Sequence, residues 1–195
     1  MMKPIPYGHH SVSWVDALAV AKTVKSEWMT MGPAIEKFEG DLARVSGGKH
    51  AVAVSSGSAA LHCAYAAIDL GPGDEIITSP LTFASTATTA MNLGAKVVFA
   101  DIQSDTGNID PLEVESLITQ KTKAIVAVDY AGHPADLDEL LQIAKKHGIV
   151  LIEDAAHSLG SVYRDRPVGS IADITTFSFF PTKNIATGEG GAVVT

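Results

Sequence analysis

The apolar positions of this chain change rhythm near residue 50. Before that point they recur at helical spacing. Trp14, Val15, Leu18, Val20 and Val24 give an irregular apolar face, and Ile35, Phe38, Leu42 and Val45 give a more regular one, so two helices are expected. The stretch WMTMGP breaks the pattern between them, with Gly32 and Pro33 adjacent. After residue 50, short and nearly continuous apolar runs alternate with helical segments. AVAVSS, EIITS, KVVFAD, KAIVAVDY, IVLIED, TTFSFF and GGAVVT read as strands. SAALHCAYAAIDL, FASTATTAMNLG, DPLEVESLI and DLDELLQIAKKHG read as helices between them. Asp110 and Pro111 open one of these helices as cap and first turn, and Gly148 stops another. Strands alternating with helices imply βαβ units, hence an α/β fold with a mainly parallel sheet and helices on both faces. Residues 1–195 are read as a helical N-terminal segment followed by one such domain, with no repeat or long linker. The chain stops at GGAVVT, in the middle of a strand pattern, so a longer natural chain is expected.

Charge and composition narrow the function. The 14 basic and 22 acidic side chains leave a net charge of −8, which argues against general affinity for nucleic acid or an anionic membrane. No apolar run reaches the roughly 18 residues that mark a membrane-spanning helix, and MMKPIPYGHH lacks the apolar core of a signal peptide. The single cysteine, Cys63, cannot form an internal disulfide; it lies in the run AALHCAYAAI and is expected as a small core residue. This usage fits a cytoplasmic protein.

In open parallel sheets, ligands bind beyond the carboxyl ends of the strands. Those ends carry Ser55 to Ser58, Pro80 to Phe83, Asp101, Asp129 with Tyr130, Asp154 to His157, and Ser178. Each stretch admits two readings. SSGSAAL is either an ordinary helix start capped by Ser58 or an anion site, where free N–H groups and the helix dipole receive a phosphate. It is not a Walker motif, because the Gly-Lys-Ser/Thr element is absent. Asp154, beyond four apolar strand residues, either caps the next turn with His157 packed beside it or meets a cationic partner such as a protonated ring nitrogen. Lys183 follows Phe177, Phe179, Phe180 and Pro181; it either snorkels to solvent or is an amine whose pKa desolvation lowers for carbonyl chemistry.

The three stretches together meet the needs of one cofactor. Pyridoxal phosphate requires an amine for its aldehyde, an acid for its pyridine nitrogen, donors for its phosphate and a plate for its ring. Lys183, Asp154, Ser58 with Ser178, and Phe83 could supply these in turn. A binding module without chemistry would not need an activated lysine with a matching acid. An unrelated nucleotide-binding α/β enzyme would show a GxGxxG or Walker turn after its first strand, and SSGSAAL is neither.

The stretches MTMGPAIEKFE, VSSGSAALH, GPGDEIITSPLTFASTA, IEDAAHSLGS and SFFPTKNIATGEGGAVVT, in this order, resemble the DegT/DnrJ/EryC1/StrS sugar aminotransferase family. Within it the chain is most similar to members acting on UDP-linked 4-keto-6-deoxy sugars, of the pseudaminic acid and aminoarabinose type. The resemblance implies the large domain of the aspartate aminotransferase fold (pyridoxal phosphate fold type I), with the family's small C-terminal domain absent from these residues. It implies that Lys183 binds the cofactor and moves protons, that Asp154 keeps the pyridine nitrogen protonated, that Phe83 stacks on the ring and that His157 lies by the ring hydroxyl. It places the phosphate on the N–H groups of Ser58 and Ala59 and the Ser178 hydroxyl, and the sugar nucleotide near Thr30 and Gly32. It also implies an amino-acid donor, expected to be glutamate, a nucleotide-sugar acceptor, a homodimer and no metal. The alternative is a non-catalytic ligand-binding module, or an inactive fragment of such an enzyme. Some relatives carry histidine in place of the lysine and act as dehydratases; Lys183 points to the aminotransferase.

Overall fold

The computed structural model describes Gly8 and residues 10–195; residues 1–7 and His9, and with them most of the N-terminal stretch read for a signal peptide, lie outside the described residues. Two helices come first, α1 (Trp14–Val24) and α2 (Pro33–Ser46). A capping box starts α1: Asp16 N–H donates to Ser13 Oγ, and Ser13 N–H donates to Asp16 Oδ2 at 2.8 Å. The apolar face expected on α1 is present, but the described residues bury none of it, and Trp14 is 85% exposed. On α2 the pattern does bury, through Leu42 with Phe38 packed beside it, while Val45 stays exposed.

The remaining elements follow the alternation. They are β1 (Ala51–Val54), α3 (Gly57–Ala67), β2 (Glu75–Thr78), α4 (Ser85–Asn92), β3 (Lys96–Phe99), α5 (Pro111–Leu117), β4 (Thr122–Val128), α6 (Leu137–His147), β5 (Val150–Asp154), β6 (Val162–Tyr163), β7 (Arg166–Pro167), β8 (Ile174–Ser178) and β9 (Gly191–Val194). Asp110 caps α5, its Oδ1 accepting from Leu112 N–H at 2.9 Å. Seven strands form one sheet in the order β1-β9-β8-β5-β4-β2-β3. β8, β5, β4, β2 and β3 run parallel, and β9 alone is antiparallel to both of its neighbours, β1 and β8. The carboxyl ends of β2, β4, β5 and β8 therefore share one edge.

Strand alternation divides the core into two layers. Ile77, Ile125, Ala127 and Leu151 pack with Val114 of α5 and Leu137 and Leu140 of α6. Ile76, Ala124, Val126 and Ile152 pack with Leu61 and Tyr65 of α3 and Ala90 of α4. A third cluster joins Leu42 to Phe177, Phe179, Ala192 and Val194, and Phe38 meets the Phe179 ring edge-on at 5.3 Å. This cluster anchors the segment leaving β8.

One expectation is corrected. Cys63 is exposed rather than in the core, because α3 buries the stripe Ala60, Leu61, Ala64 and Tyr65, which turns Cys63 outward. Between β5 and β8 the stretch SVYRDRPVGSIADI carries the β6–β7 hairpin. Arg164 and Asp165 make its turn, both with positive φ, 47° and 64°. Arg164 then pairs with Asp138 and Glu139 of α6, and Arg166 with Asp138.

Candidate active site

Asp154 closes β5 and is 6% exposed. Its Oδ2 accepts from Thr86 Oγ1 at 2.7 Å and its Oδ1 from Ala156 N–H at 3.3 Å. A hydroxyl has one proton, so Thr86, having donated to Asp154, accepts from Thr82 Oγ1 at 2.7 Å. Tyr65 OH donates to the Thr86 carbonyl at 2.7 Å, fixing the first turn of α4 beneath the carboxylate. Burial pushes the Asp154 carboxyl above its ordinary range; Thr86, the Ala156 N–H, Lys183 and His157 oppose that rise.

Lys183 lies in the segment between β8 and β9, with its N–H donated to the Phe180 carbonyl at 2.9 Å. Its side chain is half-buried, and burial lowers its amine from the ordinary lysine value while the Asp154 charge pulls the other way. His157 is exposed; partial desolvation and then the Lys183 charge lower its imidazole, and Asp154 raises it. The fold thus brings Asp154, His157 and Lys183 within electrostatic reach of one another.

The start of α3 faces the same edge. Ser56, not Ser58, is the cap: its backbone is extended (φ −166°), its Oγ accepts from Ala59 N–H at 3.1 Å and its carbonyl from Ala60 N–H at 3.0 Å. SSGS offers several candidate caps in a row, and only the backbone turn selects among them. The cap engages Ala59 N–H, whereas the N–H groups of Gly57 and Ser58 carry no hydrogen bond among the described residues. Ser58 Oγ is 2.6 Å from Ser85 Oγ. Ser178 ends β8 against this turn, for a Cβ on Gly57 would stand 2.8 Å from Ser178 Cβ and 3.1 Å from its Oγ. β9 passes as closely: a Cβ on Gly191 would stand 2.3 Å from the Ser56 carbonyl oxygen. Two free N–H groups, three hydroxyls and the positive end of an 11-residue helix make a cradle for an anion.

Phe83 sits before α4 with 76% of its surface exposed, and its carbonyl accepts from Thr86 N–H at 3.1 Å. Thr30 and Gly32 lie between α1 and α2; Thr30 is exposed and Gly32 is the buried N-cap of α2 against Trp28. Among the described residues no hydrogen bond joins either to the Asp154 group. Sequence reasoning placed Thr82 at a strand end and missed Ser85 and Thr86. Their signal is the hydroxyl-rich start of α4, TFASTATT, with Thr82 and Thr86 one turn apart. It missed also that the N-terminal segment reaches Lys183's loop: a Cβ on Gly8 would stand 2.9 Å from Thr182 Cγ2.

Known proteins share this sequence pattern and fold. The spore coat polysaccharide biosynthesis protein SpsC of Bacillus subtilis is 48% identical over 191 residues, 98% of this chain and 49% of SpsC. The chain thus spans about half the length of the curated relatives it matches. Among solved structures, Spr1654 from Streptococcus pneumoniae, known in PLP and PMP forms, superimposes with a TM-score of 0.94 at 36% identity, over 97% of this chain and 52% of that one. Helicobacter pylori PseC, an aminotransferase involved in the biosynthesis of pseudoaminic acid, does so with a TM-score of 0.93 at 38% identity, over 99% of this chain and 52% of that one. The sheet is accordingly that of the fold-type I aminotransferases expected from the sequence. The DegT/DnrJ/EryC1/StrS aminotransferase family model matches residues 15–195, and the chain belongs to that family.

Proposed function

We propose that the protein is a pyridoxal phosphate-dependent aminotransferase that moves an amino group from an amino acid, glutamate in our reading, to the keto carbon of a nucleotide-linked 4-keto-6-deoxy sugar. The observation that supports it most is the convergence of Lys183, Asp154 and the open start of α3 at one sheet edge. A buried carboxylate held by Thr86 and Ala156 suits a protonated pyridine nitrogen, and a helix start that admits no Cβ at Gly57 or Gly191 suits a phosphate. The residues present therefore fit the cofactor, which when bound supplies an electron sink for amino-group chemistry.

The chain's own residues would then divide the work. Asp154, as a carboxylate, would hold a proton on the ring nitrogen. The Lys183 amine, already lowered by burial, is nucleophilic toward an aldehyde and takes up or gives back a proton at Nζ. Gly57 and Ser58 N–H groups, with the Ser58 and Ser178 hydroxyls, bind the phosphate; the Ala59 N–H, engaged by Ser56, contributes through the helix dipole. Phe83 covers a ring face, and His157 orients the ring hydroxyl. Thr30 and Gly32 remain our candidates for the sugar-nucleotide side, and a cytoplasmic homodimer remains our proposed assembly.

The test is amino transfer by the intact protein from labelled glutamate to a UDP-linked 4-keto-6-deoxy sugar. The reading expects transfer that Lys183→Ala abolishes. Transfer undiminished in Lys183→Ala refutes it, and cofactor binding without transfer to any keto sugar favours a binding module.

A further inference from the structure

Behind Asp154, on the opposite face of β5, lies a second acidic residue that the proposed chemistry does not use. Glu153 is 0% exposed and Asp129, just past the end of β4, is 1% exposed. Strand alternation turns Glu153 away from Asp154 and toward the layer beneath α6, where Ala127 and Leu151 also point. Both oxygens of Asp129 have a donor: Oδ1 accepts from Ala135 N–H at 3.0 Å and Oδ2 from the Ser158 hydroxyl. Only one oxygen of Glu153 does. Its Oε2 accepts from Thr175 Oγ1 at 2.8 Å, but Oε1 is the one buried side-chain oxygen without a hydrogen-bond partner among the described residues. The groups that act on the Glu153 carboxyl include the Asp129 carboxyl, which disfavours its ionised form, and the Gly169 N–H, which favours it. Asp154 adds its charge to Asp129 from the other face.

Two carboxylates side by side in a dry interior cannot both ionise. A proton on Oε1 gives that oxygen the missing partner, by donation to Asp129. We propose that Glu153 and Asp129 share one proton, carried on Glu153, and that this pair is a positioning device for the two loops at the mouth of the site. Asp129 carries the charge because it has the donors. Burial pushes both acids up, Glu153 well above its ordinary value and Asp129 to about 6. Both loops are tied to Asp129. Its acceptance from Ser158 fixes the turn bearing His157; its acceptance from Ala135 closes the loop bearing Tyr130; and its own N–H donates to the Asp154 carbonyl at 3.1 Å. Ser161 Oγ then joins the two loops by donating to the Gly132 carbonyl at 2.9 Å. Glu153 is thus a positioning residue, acting through Asp129.

The role for His157 rests on the function proposed above; the shared proton does not, so the two fail separately. The direct test is infrared difference spectroscopy of the cofactor-free protein at pH 7, wild type against Glu153→Gln. The glutamine keeps an N–H donor for Asp129 and an acceptor for Thr175. The expected result is a protonated-carboxyl C=O band in the wild type that is lost in E153Q. A wild type without that band, or a band of undiminished intensity in E153Q, overturns the shared proton. The positioning role is read from the His157 ring resonances by NMR. E153Q should retain them and Glu153→Leu, which fills space without donating, should shift them. Unchanged resonances in a folded E153L would overturn the positioning role. Should E153L not fold, retention in E153Q supports the role and their loss there overturns it.

Discussion

Thr86 Oγ1 donates to Asp154 Oδ2 at 2.7 Å across 68 residues of sequence, joining the first turn of α4 to the carboxyl end of β5. The bond stabilises the ionised form of a buried acid that desolvation would otherwise neutralise. Thr86→Val should raise the Asp154 carboxyl further and weaken pyridoxal phosphate binding by about tenfold, the scale of one hydrogen bond to a charged group. Absorbance titration with the cofactor measures this, and Thr86→Ser should restore most of the loss.

Lys183 carries a stability cost whose pH dependence has a defined sign. Its folded-state amine is lowered, so between its folded and unfolded values the unfolded chain binds more protons, and stability rises with pH. The penalty for burying the ammonium is present below the folded value and is relieved as pH rises through it. Cofactor-free Lys183→Met should therefore melt higher than the wild type at pH 7, and the gap should narrow toward pH 10. Calorimetry across that range checks it; a gap that widens with pH contradicts the assignment.

Gly191 is fixed by close approach rather than by φ. Its added Cβ would meet the Ser56 carbonyl oxygen at 2.3 Å and Gly57 N at 2.7 Å, so β9 or the start of α3 must shift. Gly191→Ala should cost about 2 kcal/mol, as overpacking does, and should weaken phosphate-dependent binding because the cap residue itself moves. Gly40→Ala, inside α2 where nothing lies within 4 Å, is the control: it should leave cofactor binding unchanged and, by helix propensity, stabilise rather than destabilise the fold. Chemical denaturation and a cofactor titration measure the two effects.

The sequence displayed those features that one local pattern determines. Apolar runs such as IVLIED marked buried parallel strands, Asp110-Pro111 marked a helix start, and Asp154 and Lys183 stood out as charges in apolar company. Features set by residues distant in the chain were not legible. Nothing local tells Ser56 from Ser58 as cap, since that depends on where the backbone turns. Cys63 and Leu61 share one apolar run and take opposite faces of α3. The Thr86–Asp154 bond and the Glu153–Asp129 pair need the order of the strands, which places β4 beside β5 and lays α4 over them. The apolar positions of α1 specified a helix, but not what would cover it.

The central claim is that Lys183 is the amine that meets the cofactor's aldehyde. Its most direct measurement is borohydride reduction of the protein equilibrated with pyridoxal phosphate, followed by peptide mapping. The expected result is a visible absorbance band that reduction abolishes, with the cofactor then fixed to the peptide containing Lys183. A cofactor fixed instead to another lysine, or a band that persists in Lys183→Ala, would contradict it.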